Sequence, residues 1–162
     1  MIEIREVISV DRAASGVFAH LARIEALPAW LPPIRAARQL EAGALRPGSR
    51  ARLTIDGPGR TIIATGEVTE LSPPSAIAFR TLDAPADVRA RCVLVPLGPA
   101  RTELRLTATI ELPGLLRLGE GLARDRIRQE LPAALADLRA RLEAAIPPGD
   151  DGLGEEDATV SG

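Results

Sequence analysis

The residue types that most often carry catalysis and metal binding are scarce in this sequence. It contains one histidine, His20, and one cysteine, Cys92, so a zinc site with three or four His and Cys ligands is excluded. His20 lies beside the apolar stripe of a predicted helix, which favours a surface position over a general base in a catalytic triad. Cys92 falls on an apolar strand without a cationic neighbour on its own face, which predicts an unreactive core thiol. We therefore expect neither a metal nor a cofactor.

Two charged residues break the alternation of the strands that carry them. Glu6 shares the parity of Ile4 and Ile8, and Arg38 shares the parity of Leu40. If the two strands are neighbours, Glu6 and Arg38 could form a buried ion pair that anchors a polar ligand group or transfers a proton. The other interpretation, which we favour, is a β-bulge that turns either side chain out to solvent.

The overall composition indicates one globular domain. The chain has 162 residues, of which 46% are hydrophobic and 26% charged. No apolar run is long enough to cross a membrane, and the first residues lack the basic-then-apolar order of a signal peptide, so we expect a cytoplasmic protein. We assign residues 1–146 to a single domain. Residues 147–162, in which every charged residue is acidic, are predicted to form a disordered tail.

The charge pattern argues against a nucleic-acid partner. All 20 basic residues are arginines, but they are scattered rather than gathered into a basic face. Only Phe18, Trp30 and Phe79 are aromatic, so a stacking platform for single strands is missing. The preference for arginine, together with many Ala, Gly and Pro, is typical of a GC-rich bacterial genome.

The hydrophobic period changes twice along the chain and predicts the elements that must position these residues. Alternation predicts strands over 2–10, 34–41, 49–56, 60–71, 76–83, 87–96 and 101–112. Asp11 offers an N-cap for a first short helix that carries Val17 and Phe18, and Ile24–Leu27 predicts a second. A helical stripe predicts a long C-terminal helix; its members are Leu131, Leu135, Leu138, Leu142 and Ile146.

These elements predict an α+β fold. Strands at hairpin distances form a curved antiparallel sheet of seven strands, and a sheet with one apolar face must be covered. The long C-terminal helix is the only amphipathic element that can do so. The sheet should wrap around it, with the two short helices after strand one.

The same order of residues resembles the SRPBCC superfamily, whose helix-grip fold is shared by the major birch-pollen allergen, START domains and polyketide cyclases. The resemblance runs nearly from end to end. The residues that carry it are Ile8–Asp11 with Val17 and Phe18, Leu27–Trp30, Gly43 to Arg50, Glu67–Pro74, Ile77–Arg80, Thr102–Leu104 and Leu138–Glu143. It implies a hydrophobic cavity between the sheet and the long helix, and it implies that the strands of Glu6 and Arg38 are neighbours. It does not define an activity.

Strand parity predicts the wall of that cavity. We expect an apolar ligand to enter beneath residues 115–131, which Gly119, Gly121 and Pro132 weaken as a helix. Trp30 either packs into the corner formed by the short helices or lines the wall of the cavity. The candidate ligand-binding residues are Trp30, Leu53, Ile55, Ile62, Phe79, Cys92, Leu94, Leu106, Leu115, Leu118 and Leu122, with Glu6 and Arg38 as candidate polar anchors.

The sequence thus leaves three functional hypotheses. The first is binding or carriage of a lipid-like or aromatic small molecule without catalysis, because almost nothing on the inward face is polar. The alternative is a polyketide cyclase/dehydrase-type enzyme, for which acid and base groups are needed inside the cavity. The third is a protein-interaction module of the stress-toxin or co-chaperone kind. The expected partner is a hydrophobic small molecule, and the oligomeric state stays open.

Overall fold

Alternating apolar and polar residues build the strands of a single sheet. The computed structural model describes residues 1–31, 34–57 and 59–144, so the predicted tail and Ile146 lie outside the described residues. Within them the strands are β1 (Ile2–Val10), β2 (Ile34–Gln39), β3 (Arg50–Gly57), β4 (Arg60–Ser72), β5 (Ala76–Asp83), β6 (Asp87–Gly98) and β7 (Arg101–Glu111). Each predicted strand is present, with ends that differ by at most two residues.

The strands pair antiparallel in the order β1-β7-β6-β5-β4-β3-β2. From β2 to β7, consecutive strands are neighbours, while β1 joins the far side beside β7. The α+β helix-grip fold is therefore confirmed. The order corrects one expectation, because β1 and β2, which carry Glu6 and Arg38, lie at opposite edges of the sheet.

Helical segments follow the first strand and the last strand. Helix α1 (Ala14–Leu21) and a first 3₁₀ helix (Ile24–Ala29) follow β1, and a second 3₁₀ helix (Gly114–Gly119) leads into helix α2 (Glu120–Ala144). The predicted N-cap was wrong: Ala13 occupies the N-cap of α1, without a side-chain cap. The Asp11 backbone N–H instead donates a hydrogen bond to Glu143 in α2. No helix within these described residues is long and apolar enough to span a membrane.

A β-bulge decides the direction of Arg38. The pairing of β2 with β3 shifts between Ile34 and Ala36, so that Ala37 lies opposite the buried Leu53 and Arg38 lies opposite Arg52. Arg38 is exposed. The shift moves every later side chain of β2 to the other face of the sheet. The buried Glu6–Arg38 ion pair is therefore absent, and the bulge that we favoured is present.

We call the sheet face that carries Leu104, Leu106 and Cys92 the inner face, and the opposite face the outer face. These three residues are buried and lie in one cluster with α1 and the second half of α2. In α2 the buried residues are Leu131, Leu135, Leu138 and Leu142. The core is thus concentrated under the C-terminal half of α2.

The segment before that half packs much less closely. The second 3₁₀ helix contains no buried residue, and α2 buries none before Leu131. Leu115, Leu118 and Leu122 are 84%, 86% and 80% exposed. The sheet is consequently covered well at one end of α2 and poorly at the other.

Candidate ligand-binding pocket

The inner face of the sheet shows the same gradient of burial. Leu106 and Cys92 are buried, whereas the next inner residues of β7 and β6, Ala108 and Ala90, are only half-buried. The row through Ala108 and Ala90 continues to Ile4 on β1 and Phe79 on β5, and both are half-buried as well. The inner face is therefore partly uncovered at this row.

A pocket of about 100 Å³ opens at the β3–β6 end of this region. It lies between the sheet and the first 3₁₀ helix with the chain that follows it. The apolar residues that line it are Ile24, Leu27, Leu31, Ile34, Leu45, Ala51, Leu53, Gly66, Val68, Phe79, Val88 and Ala90.

Small residues on the sheet leave the space for this pocket. Ala51, Gly66 and Ala90 are all inward positions that line it. A Cβ atom at Gly66 would lie 3.3 Å from Cδ1 of Leu53, which is tighter than ordinary packing. The absent side chain of Gly66 therefore lets Leu53 lie close to β4.

Every polar side chain that lines the pocket already has a partner within the protein. Arg50 donates to Glu41 at 2.9 Å, and Arg80 donates to Glu67 at 2.9 Å. Ser49 Oγ accepts the backbone N–H of Arg46 at 3.0 Å.

Thr81 completes this set of polar lining residues. Its hydroxyl donates to the Ala86 carbonyl and accepts the N–H of Val88, both at 3.0 Å. The pocket therefore offers a ligand mainly apolar contacts.

The predicted site residues fall into three groups. Leu53 and Phe79 line the pocket, and Ile55 and Ile62 lie half-buried near the end of the β3–β4 hairpin. Trp30, Cys92, Leu94 and Leu106 are buried in the core cluster and do not line the pocket. Leu115, Leu118 and Leu122 point into solvent. The structure thus brings two of the predicted wall residues to the pocket itself.

The part of the wall that was not predicted comes from the chain between α1 and β3. Ile24 and Leu27 are buried on the first 3₁₀ helix, and Leu31 and Leu45 pack against the core. The sequence predicted a short helix over Ile24–Leu27. The sequence did not show that Ile24 and Leu27 would line a pocket together with residues of β3 and β4.

Glu6 is the one predicted polar anchor that remains on the inner face. It lies opposite Leu106 in the pairing of β1 with β7 and is half-buried. Among the described residues it forms no ion pair. Its carboxylate lies outside the pocket lining.

Burial shifts the pKa values of the two remaining candidate groups, Cys92 and His20. Burial raises the pKa of the Cys92 thiol to about 12, which suppresses the nucleophilic thiolate. Burial lowers the pKa of His20, and Arg23, Arg12 and Arg141 lower it further by repulsion. In the part of the chain that the structure describes, no cluster of His, Cys, Asp or Glu could hold a metal ion.

Solved structures of other proteins share this architecture at low sequence identity. An aromatase/cyclase named ZhuI from Streptomyces sp. R1128 is 23% identical and has a TM-score of 0.66, with 89% of this chain and 97% of that chain covered. A START superfamily protein from Mycobacterium smegmatis is 20% identical, with a TM-score of 0.68 and coverages of 89% and 99%. A protein from Thermus thermophilus gives 20% identity, a TM-score of 0.72 and coverages of 89% and 99%. Identities this low establish the fold only.

The family comparison is more specific than these structural likenesses. No curated protein matches the sequence. Residues 1–143 match the model of the family described as polyketide cyclase / dehydrase and lipid transport. This match spans every strand and nearly all of α2, and the chain belongs to the polyketide cyclase/dehydrase and lipid transport family.

Proposed function

We propose that this protein binds an apolar small molecule, lipid-like or aromatic, between its sheet and its helical layer, without transforming it. The observation that carries the proposal is the pairing of every polar side chain around the pocket. A ligand that brings its own polar groups would find few unpaired partners there, and burying such groups without hydrogen bonds costs free energy. A ligand rich in apolar surface meets no such penalty.

The ligand must extend beyond the present pocket. Sites for drug-sized molecules usually measure about 300–1,000 Å³, whereas this pocket measures about 100 Å³. The half-buried row of Ala90, Ala108 and Ile4 continues from the pocket along the inner face. We propose that the ligand lies along this row, where small side chains leave it room.

Residues 114–130 would then cover the bound ligand. Leu115, Leu118 and Leu122 are exposed to solvent and lie just before the anchored half of α2. Covering an apolar ligand would remove these leucines from water together with the ligand. At about 25 cal/mol per Å², burying roughly 330 Å² of apolar surface corresponds to micromolar affinity before the entropic costs of binding.

Fatty acids, sterols, quinones and aromatic polyketides form the panel that tests the proposal, by thermal shift and then by calorimetry. At least one compound should raise the melting temperature saturably. Ala90→Phe should abolish this shift, because the ring occupies the pocket. Ala90→Val is a milder variant that should weaken it without overpacking.

The matched control is Val7→Phe, which adds the same ring at an exposed position of β1, 59% accessible to solvent. This variant should bind like the original protein. If no compound in the panel shifts the melting temperature, or if Ala90→Phe binds as well as Val7→Phe does, the pocket is not the ligand site.

Glu6 favours a second candidate, an enzyme of the cyclase/dehydrase type. A half-buried carboxylate on the inner face without an ion-pair partner among the described residues could accept a proton from a reactive polyketide chain. Glu6→Gln keeps the shape of the side chain and removes the base. Loss of product formation with unchanged binding would favour the enzyme, whereas the absence of any product with the unmodified protein favours the carrier.

A further inference from the structure

A second hollow lies on the outer face of the sheet, behind the pocket. It measures about 620 Å³, within the range of small-molecule sites. Two rows of outer side chains form its walls, one of Arg5, Thr107, Arg91 and Ala78 and the other of Glu3, Thr109, Arg89 and Arg80. We call this hollow the outer trough.

Cross-strand pairing places like charges together in the outer trough. Arg80 of β5 lies directly opposite Arg89 of β6, and such like-charge pairs destabilise a sheet. Arg91 follows two residues after Arg89 and therefore points to the same face. Nearby carboxylates can offset the repulsion between these arginines.

Carboxylates within the protein offset part of this charge. Arg80 donates to Glu67 at 2.9 Å, and Arg91 donates two hydrogen bonds to Glu70, at 2.7 and 3.2 Å. These two guanidinium groups are therefore already occupied. Each partner acid lies on β4, at the far side of the trough.

Arg5 and Arg89 are available for an external anion. Arg89 approaches Asp87 only to 3.8 Å, and its side chain is 70% exposed. Arg5 forms no salt bridge to another described residue. Between them lie Thr107, which pairs with Arg5, and Thr109, which pairs with Arg89. Their hydroxyl groups supply further hydrogen-bond donors.

We propose that the outer trough is a second binding site, which takes a small multivalent oxyanion between Arg5 and Arg89 over the two threonines. Phosphate and carboxylate groups of a metabolite share this chemistry, because both accept paired hydrogen bonds from a guanidinium group. Glu3 lies at one corner of the trough and opposes the anion. Phe79, Arg80 and Ala90 border both hollows, but the trough opens on the outer face of β5 and β6 and the apolar pocket opens on the inner face.

Calorimetry with inorganic pyrophosphate and with citrate tests the proposal, at an ionic strength of about 20 mM so that surface charges are weakly screened. Saturable binding should occur, and Arg5→Gln and Arg89→Gln should each weaken it about tenfold. Glu3→Gln should strengthen it severalfold, because the opposing carboxylate is removed. Binding of pyrophosphate alone identifies the ligand group as phosphate, and binding of both identifies a general oxyanion site.

Arg52→Gln is the matched control. Arg52 is an exposed outer-face arginine of β3 outside the trough, so its loss changes the net charge equally and should leave the affinity unchanged. The proposal fails if pyrophosphate and citrate do not bind saturably, or if Arg52→Gln weakens binding as much as Arg89→Gln does. Val88→Phe changes a residue that lines the apolar pocket but not the trough. This variant should bind pyrophosphate normally, so that a failure of the trough can be told apart from a failure of the apolar pocket.

Discussion

The backbone N–H of Asp11 donates a 2.9 Å hydrogen bond to the carboxylate of Glu143, and this bond joins the end of β1 to the last turn of α2. Arg139 donates to the same carboxylate at 3.4 Å. The contact lies where the leucines of α2 are buried. It therefore reinforces the anchored half of the helix.

We expect this bond to make stability depend on acidic pH. The Asp11 N–H, followed by Arg139, lowers the pKa of Glu143 below its ordinary value of 4.5. The contribution is then present above pH 4.5 and is lost as the pH falls through the lower native pKa. Glu143→Gln should lower the melting temperature at pH 7 by about 2 °C. The difference between this variant and the original protein should disappear once the pH lies below the native pKa of Glu143.

Glu130→Gln is the control for this measurement by circular dichroism. Glu130 also pairs with an arginine four residues away, Arg126 at 3.0 Å, but it has no bond to another element among the described contacts. Its replacement should change the melting temperature little. Equal effects of the two variants would show that only the local i,i+4 pair matters.

Leucines in the two halves of α2 should differ sharply in their contribution to stability. Leu135 is 2% exposed and Leu122 is 80% exposed. Leu135→Ala should therefore lower the free energy of unfolding by about 2–5 kcal/mol, whereas Leu122→Ala should change it by less than about 0.5 kcal/mol. Chemical denaturation measures both values. Comparable losses would place Leu122 in the core and contradict the uneven packing of α2.

The single histidine, His20, should make the stability of the protein depend on pH between about 5.5 and 7.5. Burial, and then Arg23, Arg12 and Arg141, lower the pKa of His20 below its ordinary value of 6.5. The native state thus binds the proton more weakly than the unfolded chain, and stability falls as the pH drops below 6.5. The decrease in melting temperature from pH 7.5 to 5.5 should be smaller in His20→Gln. An identical decrease in both proteins, or an imidazole that titrates at or above 6.5 by NMR, would contradict this.

The cross-strand pair of Arg38 and Arg52 predicts a stabilising substitution. The two residues are paired directly across β2 and β3 on the outer face, and like charges in this arrangement destabilise a sheet. Arg52→Glu should create an opposite-charge pair and stabilise the protein by about 0.2–1 kcal/mol. Arg60→Glu is the control, because Arg60 lies opposite Gly57. Stabilisation by both variants would indicate an effect of net charge instead.

Much of the sheet could be predicted because its alternation is regular. Ile77, Cys92 and Leu106 follow one row across three strands, and a slip of one residue would bury charges. The bulge in β2 could not be located in the same way. Ile34, Ala36 and Leu40 continue the apolar alternation across it, so the sequence shows no sign of the shift that turns Arg38 outward.

The pocket could be predicted less well, because its position depends on long-range packing. Phe79 and Leu53 follow from strand parity. Whether Cys92 lines a cavity or a filled core is decided by how far α1 and the second half of α2 cover the sheet. The exposure of Leu118 has the same origin, since an apolar residue on a weak helical segment faces solvent when no neighbouring surface reaches it.

We expect the second 3₁₀ helix and the first half of α2 to open more readily than the second half of α2. Residues 114–130 contain no buried side chain, and Gly119 and Gly121 each cost a helix about 1 kcal/mol relative to alanine. Segments of this kind open at low free energy. In the ligand-free protein, the amides of 120–130 should exchange with deuterium faster than those of 131–142, as measured by mass spectrometry.

A bound apolar ligand should reduce this difference in exchange rate. When the strongest compound of the panel is added, protection should rise over 114–130 and stay constant over 131–142, because only the first segment gains contacts by covering the ligand. The double variant Leu118→Ser, Leu122→Ser should weaken binding severalfold without changing the melting temperature of the free protein, since both side chains are already in solvent. Arg128→Ser, at another exposed position of the same helix, should leave binding unchanged. If 120–130 is as protected as 131–142 before the ligand is added, or if the ligand leaves its exchange unchanged, this segment does not cover the site.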